Sequence, residues 1–371
     1  MIYIGIVKEP DFETRICLLP KEVSLVIDQL GLEVIIETGL GEALGVSNRD
    51  YEAAGAALHS RAFVLKHADY ILSINDFPEI LDGEKLKNRI GIFNMLFYQE
   101  RVDKFLGKNI SVFSLDLLPR STLAQSMDVL SSMASLAGYQ AVLKATSHYS
   151  GSLPMFTTAA GTLNPAKVLI LGAGVAGLQA IATAKRLGAI VEAFDVRKSS
   201  AEEVRSLGAN FIEVEGYEDS ENTGGYAVEQ SEEYLKKQKK LIHRHIANAN
   251  IVISTANIPG KKAPILIDIE ALDAMSPGSV VIDLAAEQGG NCEITQNGKT
   301  VIYNNVTIVG HSYLSREMSK AASQLLSANF YSFLKYLINT NKEGDPIINS
   351  CQVIDTGKIS HPQLIHKFEL V

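Results

Sequence analysis

The feature that most constrains this chain is the segment from Lys167 to Gly177, in which five mostly apolar residues run into Gly-x-Gly-x-x-Gly. A helical pattern follows through Leu187, and a second apolar run ends at Asp195. Strand, glycine turn, helix, strand and acid in this order form the unit that binds dinucleotides in doubly wound α/β domains. The phosphates of such a ligand lie on the free N–H groups at the helix N-terminus.

Each residue of this unit has its own predicted role. Gly172 allows the tight turn, Gly174 lets the backbone approach a pyrophosphate, and Gly177 lets the helix pack closely against the strand. Asp195, 23 residues after Gly172, can accept hydrogen bonds from both ribose hydroxyls and would repel a 2′-phosphate. The unit therefore predicts NAD(H) rather than NADP(H). The alternative, an ordinary glycine-rich turn between a strand and a helix, does not require an acid in this register.

Composition restricts the class of protein. The 371 residues are 46% apolar and 20% charged, enough for two domains with their own cores. A net charge of −8 argues against nucleic acid or an anionic membrane surface as the main partner. Cys17, Cys292 and Cys351 match no metal or redox spacing and indicate free thiols in a reducing compartment. We expect no metal site and no membrane-spanning segment.

Short apolar runs alternate with helical patterns along the chain, which is typical of parallel sheets wound with helices. The first such sheet has predicted strands at Ile2–Val7, Glu33–Ile36, Tyr70–Ile74, Ile90–Phe93 and Ile110–Phe113. We therefore expect an α/β fold of two Rossmann-like, doubly wound parallel-sheet domains with an NAD(H) cleft between them. Residues 1–137 with 325–371 would form the N-terminal domain, and residues 138–324 the NAD(H)-binding domain.

The stretch after the fifth predicted strand indicates a helix that links the domains. Thr122 and Gln125 have the spacing of a capping box at its start. At 100° per residue, Leu123 and Leu130 fall on one apolar face, which we expect to be buried. Gln125 and Asp128 fall on the opposite, polar face, which we expect to line a cleft.

The same stretch resembles a known family. Arg120, Gln125 and Asp128 stand in Pro119-Arg-Ser-Thr-Leu-Ala-Gln-Ser-Met-Asp-Val-Leu-Ser-Ser132. With the glycine turn and Ala193-Phe-Asp-Val-Arg197, this stretch resembles the NAD(H)-binding alpha subunit of proton-translocating nicotinamide nucleotide transhydrogenase. The resemblance covers essentially the whole chain.

The resemblance implies a function that needs partners. This chain would bind NAD(H) and present the nicotinamide to NADP(H) bound on a separate component, so that hydride passes directly between them. A membrane-spanning component would couple that transfer to proton movement. The family also implies a homodimer and a cytoplasmic location, peripheral on the inner membrane through the partner subunits. Because the chain ends before any transmembrane helix, it resembles the split form of the alpha subunit.

The resemblance also assigns residues. Arg120 and Asp128 would hold the carboxamide and ring of NAD(H). Gln125 would reach the partner's nucleotide, and Tyr226 would close over the cofactor in a mobile loop. Further cofactor contacts are expected at Gly172, Gly174, Val175, Ala176, Gly177, Asp195, Val196, Arg197, Gly225, Asn257 and Ser131. Arg197 is expected to contact the ribose or adenine, and Asn257 stands where the family usually has an apolar residue.

Simpler interpretations of these residues remain open. Gln125 could serve only as the capping-box partner of Thr122. Arg120 and Asp128 could form a surface ion pair, and Tyr226 could be exposed without a function.

Two other functions are compatible with parts of the sequence. Alanine dehydrogenase shares the two-domain fold, and Arg15 resembles the arginine that binds its substrate carboxylate. Its catalytic lysine should lie near Ser73 and its histidine near Met95–Leu96, where neither residue occurs. Chemistry on an imine needs such an acid–base group. The second alternative is a non-catalytic NAD(H)-binding module, since hydride transfer requires a partner chain.

Overall fold

The computed structural model of the chain describes residues 1–77, 85–214, 232–258, 260–341 and 343–369. The chain forms two compact units, Met1–Met133 with Met318–Val371, and Ala134–Glu317. We call them the first and the second unit. The domain limits expected from the sequence, after residues 137 and 324, remain a prediction beside these units.

The first unit begins with strands that alternate with helices. Its strands are β1 (Tyr3–Ile6), β2 (Glu33–Glu37), β3 (Ala57–His59), β4 (Tyr70–Leu72), β5 (Asn88–Gly91) and β6 (Ser111–Ser114). Its helices are α1 (Pro20–Leu30), α2 (Asn48–Ala53), α3 (Arg61–His67) and α4 (Glu100–Asp103), with short 3₁₀ helices at Glu42–Leu44, Leu115–Leu117 and Thr122–Met127. Helix α5 (Val129–His148) then runs from the first unit into the second.

The second unit contains a hairpin and a larger sheet. Its strands are β7 (Phe156–Thr158), β8 (Gly161–Leu163), β9 (Lys167–Leu171), β10 (Ile190–Phe194), β11 (Asn210–Phe211), β12 (Ile251–Ser254), β13 (Val280–Asp283), β14 (Lys299–Tyr303) and β15 (Val306–Gly310). Its helices are α6 (Val175–Arg186), α7 (Ser200–Ser206), α8 (Glu232–Asn248) and α9 (Ile269–Asp273), with 3₁₀ helices at Ala286–Gln288 and Leu314–Met318.

The chain then returns to the first unit. The returning elements are α10 (Ser319–Asn339), α11 (Pro346–Cys351), β16 (Gln352–Asp355), β17 (Lys358–Ile359) and α12 (Pro362–Glu369). The sheet of the first unit has the order β17-β16-β6-β5-β4-β1-β2-β3. Strands β1 to β6 pair in parallel, whereas β16 and β17 add antiparallel pairs at one edge.

The sheet of the second unit has the order β11-β10-β9-β12-β13-β15-β14, and its pairs are parallel except for β14 with β15. Side chains of β9 alternate between two buried clusters. Val168 and Ile170 contribute to one, and Leu169 and Leu171 to the other. A strand buried on both faces has a continuous apolar sequence, because each face is covered by helices. This confirms the doubly wound α/β fold class.

Strands β3 and β14 are among those absent from the predicted set, because they are short or half-exposed edge strands with little apolar signal. Among the described helices, none combines the length and the apolar composition that crossing a bilayer requires.

Candidate functional site

The glycine turn follows β9, which lies between β10 and β12. Gly172 has a φ of 102°, and its carbonyl oxygen accepts a hydrogen bond from Oγ1 of Thr255 at 2.9 Å. A Cβ on Gly177 would lie 1.9 Å from that same carbonyl oxygen. At Gly174, by contrast, no described heavy atom beyond its chain neighbours lies within 4 Å of an added Cβ. The three glycines therefore have the geometry expected of them: a tight turn, an open approach and close helix–strand packing.

The N-terminus of α6 is open to an anion. Val175 is exposed and Ala176 is half-buried in its first turn, which contains no acidic residue. The first N–H groups of a helix have no acceptor within it, and the helix dipole adds a partial positive charge. On the inner side Gly138 of α5 packs against this turn, since a Cβ there would lie 2.0 Å from the carbonyl oxygen of Ala176. Sequence reasoning missed Gly138 because its role depends on a contact distant in sequence.

Asp195 follows β10 and is already hydrogen-bonded through both carboxylate oxygens. The N–H of Ala173, in the glycine turn, donates to Oδ2 at 2.7 Å, and the N–H of Arg197 donates to Oδ1 at 2.8 Å. The guanidinium of Arg197 adds bonds of 3.1 and 3.2 Å, which raise the pKa of Arg197. Val196, between the two, is exposed. A ribose would therefore reach the carboxylate only by sharing it with Arg197 or displacing Arg197.

Asn257 is exposed in the loop that follows β12. The backbone beside it is fixed by the fully buried Asn291, whose Nδ2 donates to the carbonyl oxygens of Ala256 and Pro264 at 2.9 and 2.8 Å. Oδ1 of Asn291 accepts from the N–H of Ala256 at 3.0 Å, and its own N–H donates to Oδ2 of Asp283 at 2.8 Å. Sequence reasoning gave Asn291 and Asp283 no such role, because a side chain that supports a loop leaves no periodic signal.

The stretch around Gln125 differs from its prediction. Residues Thr122–Met127 form a 3₁₀ helix without a side-chain cap, and α5 begins only at Val129. The predicted capping box of Thr122 and Gln125 is therefore wrong. Asp128 stands at the N-terminus of α5 instead, where its Oδ1 accepts from the N–H of Ser131 at 2.8 Å and its Oδ2 from the Ser131 hydroxyl at 2.6 Å.

The predicted buried face of this stretch is also wrong. Leu123 is 63% exposed and Leu130 is 51% exposed, whereas Ala124 and Met127 enter the core of the first unit. A 3₁₀ helix has three residues per turn rather than 3.6, so the face calculated for a continuous α-helix does not apply.

Arg120 and Gln125 are exposed, and neither side chain makes a hydrogen bond or ion pair to any described residue. The surface ion pair between Arg120 and Asp128, one of the simpler interpretations, is thus absent from the described structure. Both side chains are available to a ligand or a partner.

The predicted site residues fall into two groups, one in each unit. Around the glycine turn of the second unit lie Gly172, Gly174, Val175, Ala176, Gly177, Asp195, Val196 and Arg197, with Asn257 in a neighbouring loop. In the first unit lie Arg120, Gln125, Asp128 and Ser131. Gly225 and Tyr226 lie outside the described residues, so their roles stay predictions.

Two cavities of the second unit are distinct in position. A cavity of about 50 Å³ lies beside Asp195 and is lined in part by Phe211 and Tyr234. A larger one, of about 380 Å³, is lined by Lys167, Glu192, Arg244, His245 and Asn248, at the amino ends of β9 and β10. Ligands of doubly wound sheets bind at the carboxyl ends of the strands, so the larger cavity is not the nucleotide site.

One group of side chains in the second unit has the spacing of metal ligands. Potential ligand atoms of His243, Asp268 and Glu270 lie within 4.8 Å of one another. Asp268, however, caps α9 by accepting from the N–H of Ala271 at 2.9 Å, and it lies 2.7 Å from Nζ of Lys239. A helix cap and an ion pair account for this group without a metal.

The family is established by comparison with known proteins. Residues 5–137 match the family described as alanine dehydrogenase/PNT, N-terminal domain, and residues 141–362 match the corresponding C-terminal domain. The first of the separate chains that make up the NAD(P) transhydrogenase alpha subunit of Rhodospirillum rubrum is 40% identical over 371 residues, 95% of this chain and 96% of that protein. The chain belongs to the NAD(P) transhydrogenase alpha-subunit family. It is therefore a subunit of an oxidoreductase.

Solved structures agree with this membership. The transhydrogenase of Sinorhizobium meliloti is 38% identical, with a TM-score of 0.83 over 97% of this chain and 99% of that one. An L-alanine dehydrogenase, 22% identical, has a TM-score of 0.82 over 99% of both chains and shows the shared fold. The name of the Rhodospirillum rubrum relative, which specifies one portion of one subunit, implies that the transhydrogenase is assembled from several subunits.

The first unit of this transhydrogenase-family chain lacks a free arginine for a substrate carboxylate at the position expected from its sequence. Arg15 is 4% exposed, and its Nε and Nη2 donate to the two carboxylate oxygens of Glu13 at 2.7 and 2.6 Å. Nδ2 of Asn75 also donates to Glu13, at 3.1 Å. A bidentate carboxylate already fills the fork that a substrate carboxylate would need. Ser73 and Met95, near the positions of the missing acid–base residues, are buried.

Proposed function

We propose that this chain binds NAD(H) at the glycine turn of the second unit and exchanges hydride directly with NADP(H) held by a partner component. The observation that carries the proposal is the open face of Gly174 at the N-terminus of α6, with Asp195 beside it, in a transhydrogenase-family chain. NAD(H) is the substrate of this site, and the backbone N–H groups of α6 would hold its pyrophosphate.

Selection of NAD(H) over NADP(H) would come from Asp195. Its carboxylate would accept from the ribose hydroxyls and repel a 2′-phosphate. Arg197 shares that carboxylate and would contact the ribose or adenine, with Val196 and Asn257 lining the same side. The Asp195 side chain is only 7% exposed, so the ribose would meet a carboxylate that is already fixed in orientation.

The chemistry asks the protein to position rather than to transfer protons. Hydride passes between two nicotinamide C4 atoms, and the two rings must approach to roughly 3–3.5 Å with water excluded. We assign Arg120, Asp128 and Ser131 to the carboxamide and ring of NAD(H), and Gln125 to the nucleotide of the partner. The unpaired, exposed side chains of Arg120 and Gln125 support these roles. Gly225 and Tyr226 would close over the bound cofactor.

The partners proposed are an NADP(H)-binding component and a membrane-spanning component that couples hydride transfer to proton translocation. Leu123 and Leu130 flank Gln125 and are exposed, which supports protein contact around this segment, because apolar side chains clustered on a surface mark interaction sites. Through these partners the chain would lie peripherally on the inner membrane, in the cytoplasm.

We also propose a homodimer. The hairpin of β7 and β8 is exposed along both strands, and Met155, Phe156 and Leu163 are 62%, 52% and 60% exposed. A two-stranded hairpin is marginally stable alone. A second copy of the chain would cover these apolar side chains.

The decisive experiment mixes the purified chain with the NADP(H)-binding component, NADH and an NADP⁺ analogue whose reduced form absorbs separately. Hydride exchange that requires both proteins supports the proposal. Binding of NADH without exchange, in the presence of a competent partner, would leave only a nucleotide-binding module. Oxidation of NADH by pyruvate and ammonia with this chain alone would instead indicate alanine dehydrogenase activity.

A further inference from the structure

Gln125 is positioned by the backbone alone. Its side chain is exposed and makes no hydrogen bond to a described residue. The place of its amide therefore follows from the 3₁₀ segment Thr122–Met127, where the N–H of Asp128 donates to the carbonyl oxygen of Gln125 at 3.3 Å. Hydrogen bonds in 3₁₀ helices have poorer geometry than those of α-helices. The conformation of this segment consequently depends on contacts from outside it.

One such contact comes from α10. Nδ2 of Asn329 donates to the carbonyl oxygen of Ser126 at 2.9 Å, one residue after Gln125. A carbonyl can only accept, so this bond fixes the orientation of the Asn329 amide. Asn329 is 6% exposed, and its Oδ1 is buried without a hydrogen-bond partner among the described residues. A buried, unpaired oxygen is unfavourable, so packing alone would favour an apolar residue at this position.

We propose that Asn329 is a positioning residue for hydride transfer, which holds the Ser126 carbonyl and thereby places Gln125. The inference rests on the function proposed above. It adds a residue 204 positions beyond Gln125 in the sequence, on a helix that touches neither nucleotide in the proposed scheme. Its loss should affect the transfer step rather than the binding of NADH.

Helix α10 also supplies a matched control. Oγ of Ser323 accepts from the N–H of Ile16 at 2.9 Å, and Ser323 is fully buried. Ser323 thus ties another segment of the first unit to the same helix with a hydrogen bond of the same kind. Ser323→Ala removes that bond and leaves the contact between Asn329 and Ser126 unchanged.

The experiment compares Asn329→Leu, Ser323→Ala and the unchanged chain. Single-turnover hydride exchange with the purified NADP(H)-binding component is measured together with the Kd for NADH and the thermal unfolding curve. We expect Asn329→Leu to slow exchange by about tenfold or more, because small misplacements of reacting groups have large effects on rate. The Kd for NADH should stay within about twofold, and Ser323→Ala should leave the exchange rate unchanged.

Asn329→Asp tests the hydrogen bond itself, even if Asn329→Leu does not fold. The ionised carboxylate has the shape of the amide but no donor, whereas the protonated carboxyl can donate to the Ser126 carbonyl. The rate of Asn329→Asp relative to the unchanged chain should rise as the pH is lowered from about 8 to about 5.5.

Three results would overturn the inference: a folded Asn329→Leu chain with the normal exchange rate, equal slowing by Ser323→Ala, or a relative rate of Asn329→Asp that does not depend on pH. An unchanged chain that exchanges no hydride with a competent partner would remove the proposed function, and this inference with it. Normal exchange by both the unchanged chain and Asn329→Leu would remove the inference alone.

Discussion

Two alanine substitutions in the glycine turn should separate cofactor binding from stability. A Cβ on Gly174 meets no described heavy atom within 4 Å beyond its chain neighbours, and its φ of −79° suits any residue. Alanine at a helix N-cap costs about 0.5–1 kcal/mol relative to glycine. The reduced entropy of the unfolded chain offsets about the same amount. We therefore expect Gly174→Ala to leave the unfolding temperature within about 2 °C of the unchanged chain.

Gly177→Ala meets a different environment. Its Cβ would lie 1.9 Å from the carbonyl oxygen of Gly172, and both atoms are held by backbone. Contacts of this kind need about 3 Å or more, so the start of α6 must move away from β9 by about 1 Å. Overpacking costs about 1–3 kcal/mol, and the better helix propensity of alanine returns about 1 kcal/mol. The unfolding temperature should fall by several degrees, at about 2–4 °C per kcal/mol.

Both variants should bind NADH about 10- to 100-fold more weakly. In Gly174→Ala the methyl group would occupy the approach of the pyrophosphate, and in Gly177→Ala the donating N–H groups would be displaced. Loss of one hydrogen bond to a charged group costs about 1.5–3 kcal/mol, and about 1.4 kcal/mol corresponds to tenfold in Kd. Calorimetric titration with NADH and thermal unfolding are the two measurements.

The Gly174→Ala result decides the argument. A folded Gly174→Ala chain with an unchanged Kd for NADH would show that the pyrophosphate does not lie against this turn. A loss of stability in Gly174→Ala as large as that in Gly177→Ala would show that the face of Gly174 is not open.

Further predictions address the other surfaces. Gln125→Asn should slow hydride exchange at least tenfold more than it weakens NADH binding, since it shortens a side chain proposed to reach the partner's nucleotide; equal losses would argue against that role. Leu123→Ser should weaken association with the NADP(H)-binding component by about 1–2 kcal/mol in a pull-down titration, with NADH binding unchanged. Phe156→Ser should shift the chain toward monomer in sedimentation, whereas a dimer of undiminished stability would exclude the hairpin. Burial lowers the pKa of His361, so the unfolded chain takes up the proton first, and stability falls as the pH drops below about 6.5. His361→Gln should flatten this acid-side fall in unfolding temperature.

The glycine turn was predictable because its constraints are local. Gly172, Gly174 and Gly177 lie within six residues of one another, and backbone geometry restricts what else can stand there. The acid at position 195 follows from the spacing of adjacent parallel strands. The fold class followed in the same way, because apolar runs buried on both faces differ visibly from amphipathic helices.

The segment around Gln125 was not predictable at the same level. The spacing of Thr122 and Gln125 fits a capping box, yet the chain forms a 3₁₀ helix there and caps α5 with Asp128. Tertiary contacts decide between these conformations, since Ala124 and Met127 are drawn into the core and leave Leu123 outside. Local periodicity contains no information about those contacts.

Contacts between segments distant in sequence were missed for the same reason. Asn291 ties together the loops that contain Ala256 and Pro264, and Gly138 permits α5 to approach the carbonyl oxygen of Ala176. Neither residue belongs to a motif. Each acts through a partner at least 27 positions away.

The proposed site combines side chains that already have partners with groups that have none. Asp195 and Arg197 satisfy each other, so a ribose bound there would exchange existing hydrogen bonds for new ones of similar strength. Such an exchange contributes little net affinity but still excludes a 2′-phosphate, because the carboxylate stays charged. The first N–H groups of α6 have no acceptor within the helix, and each bond they form to a pyrophosphate is a net gain. Affinity should therefore depend chiefly on the glycine turn, and discrimination between NAD(H) and NADP(H) on Asp195.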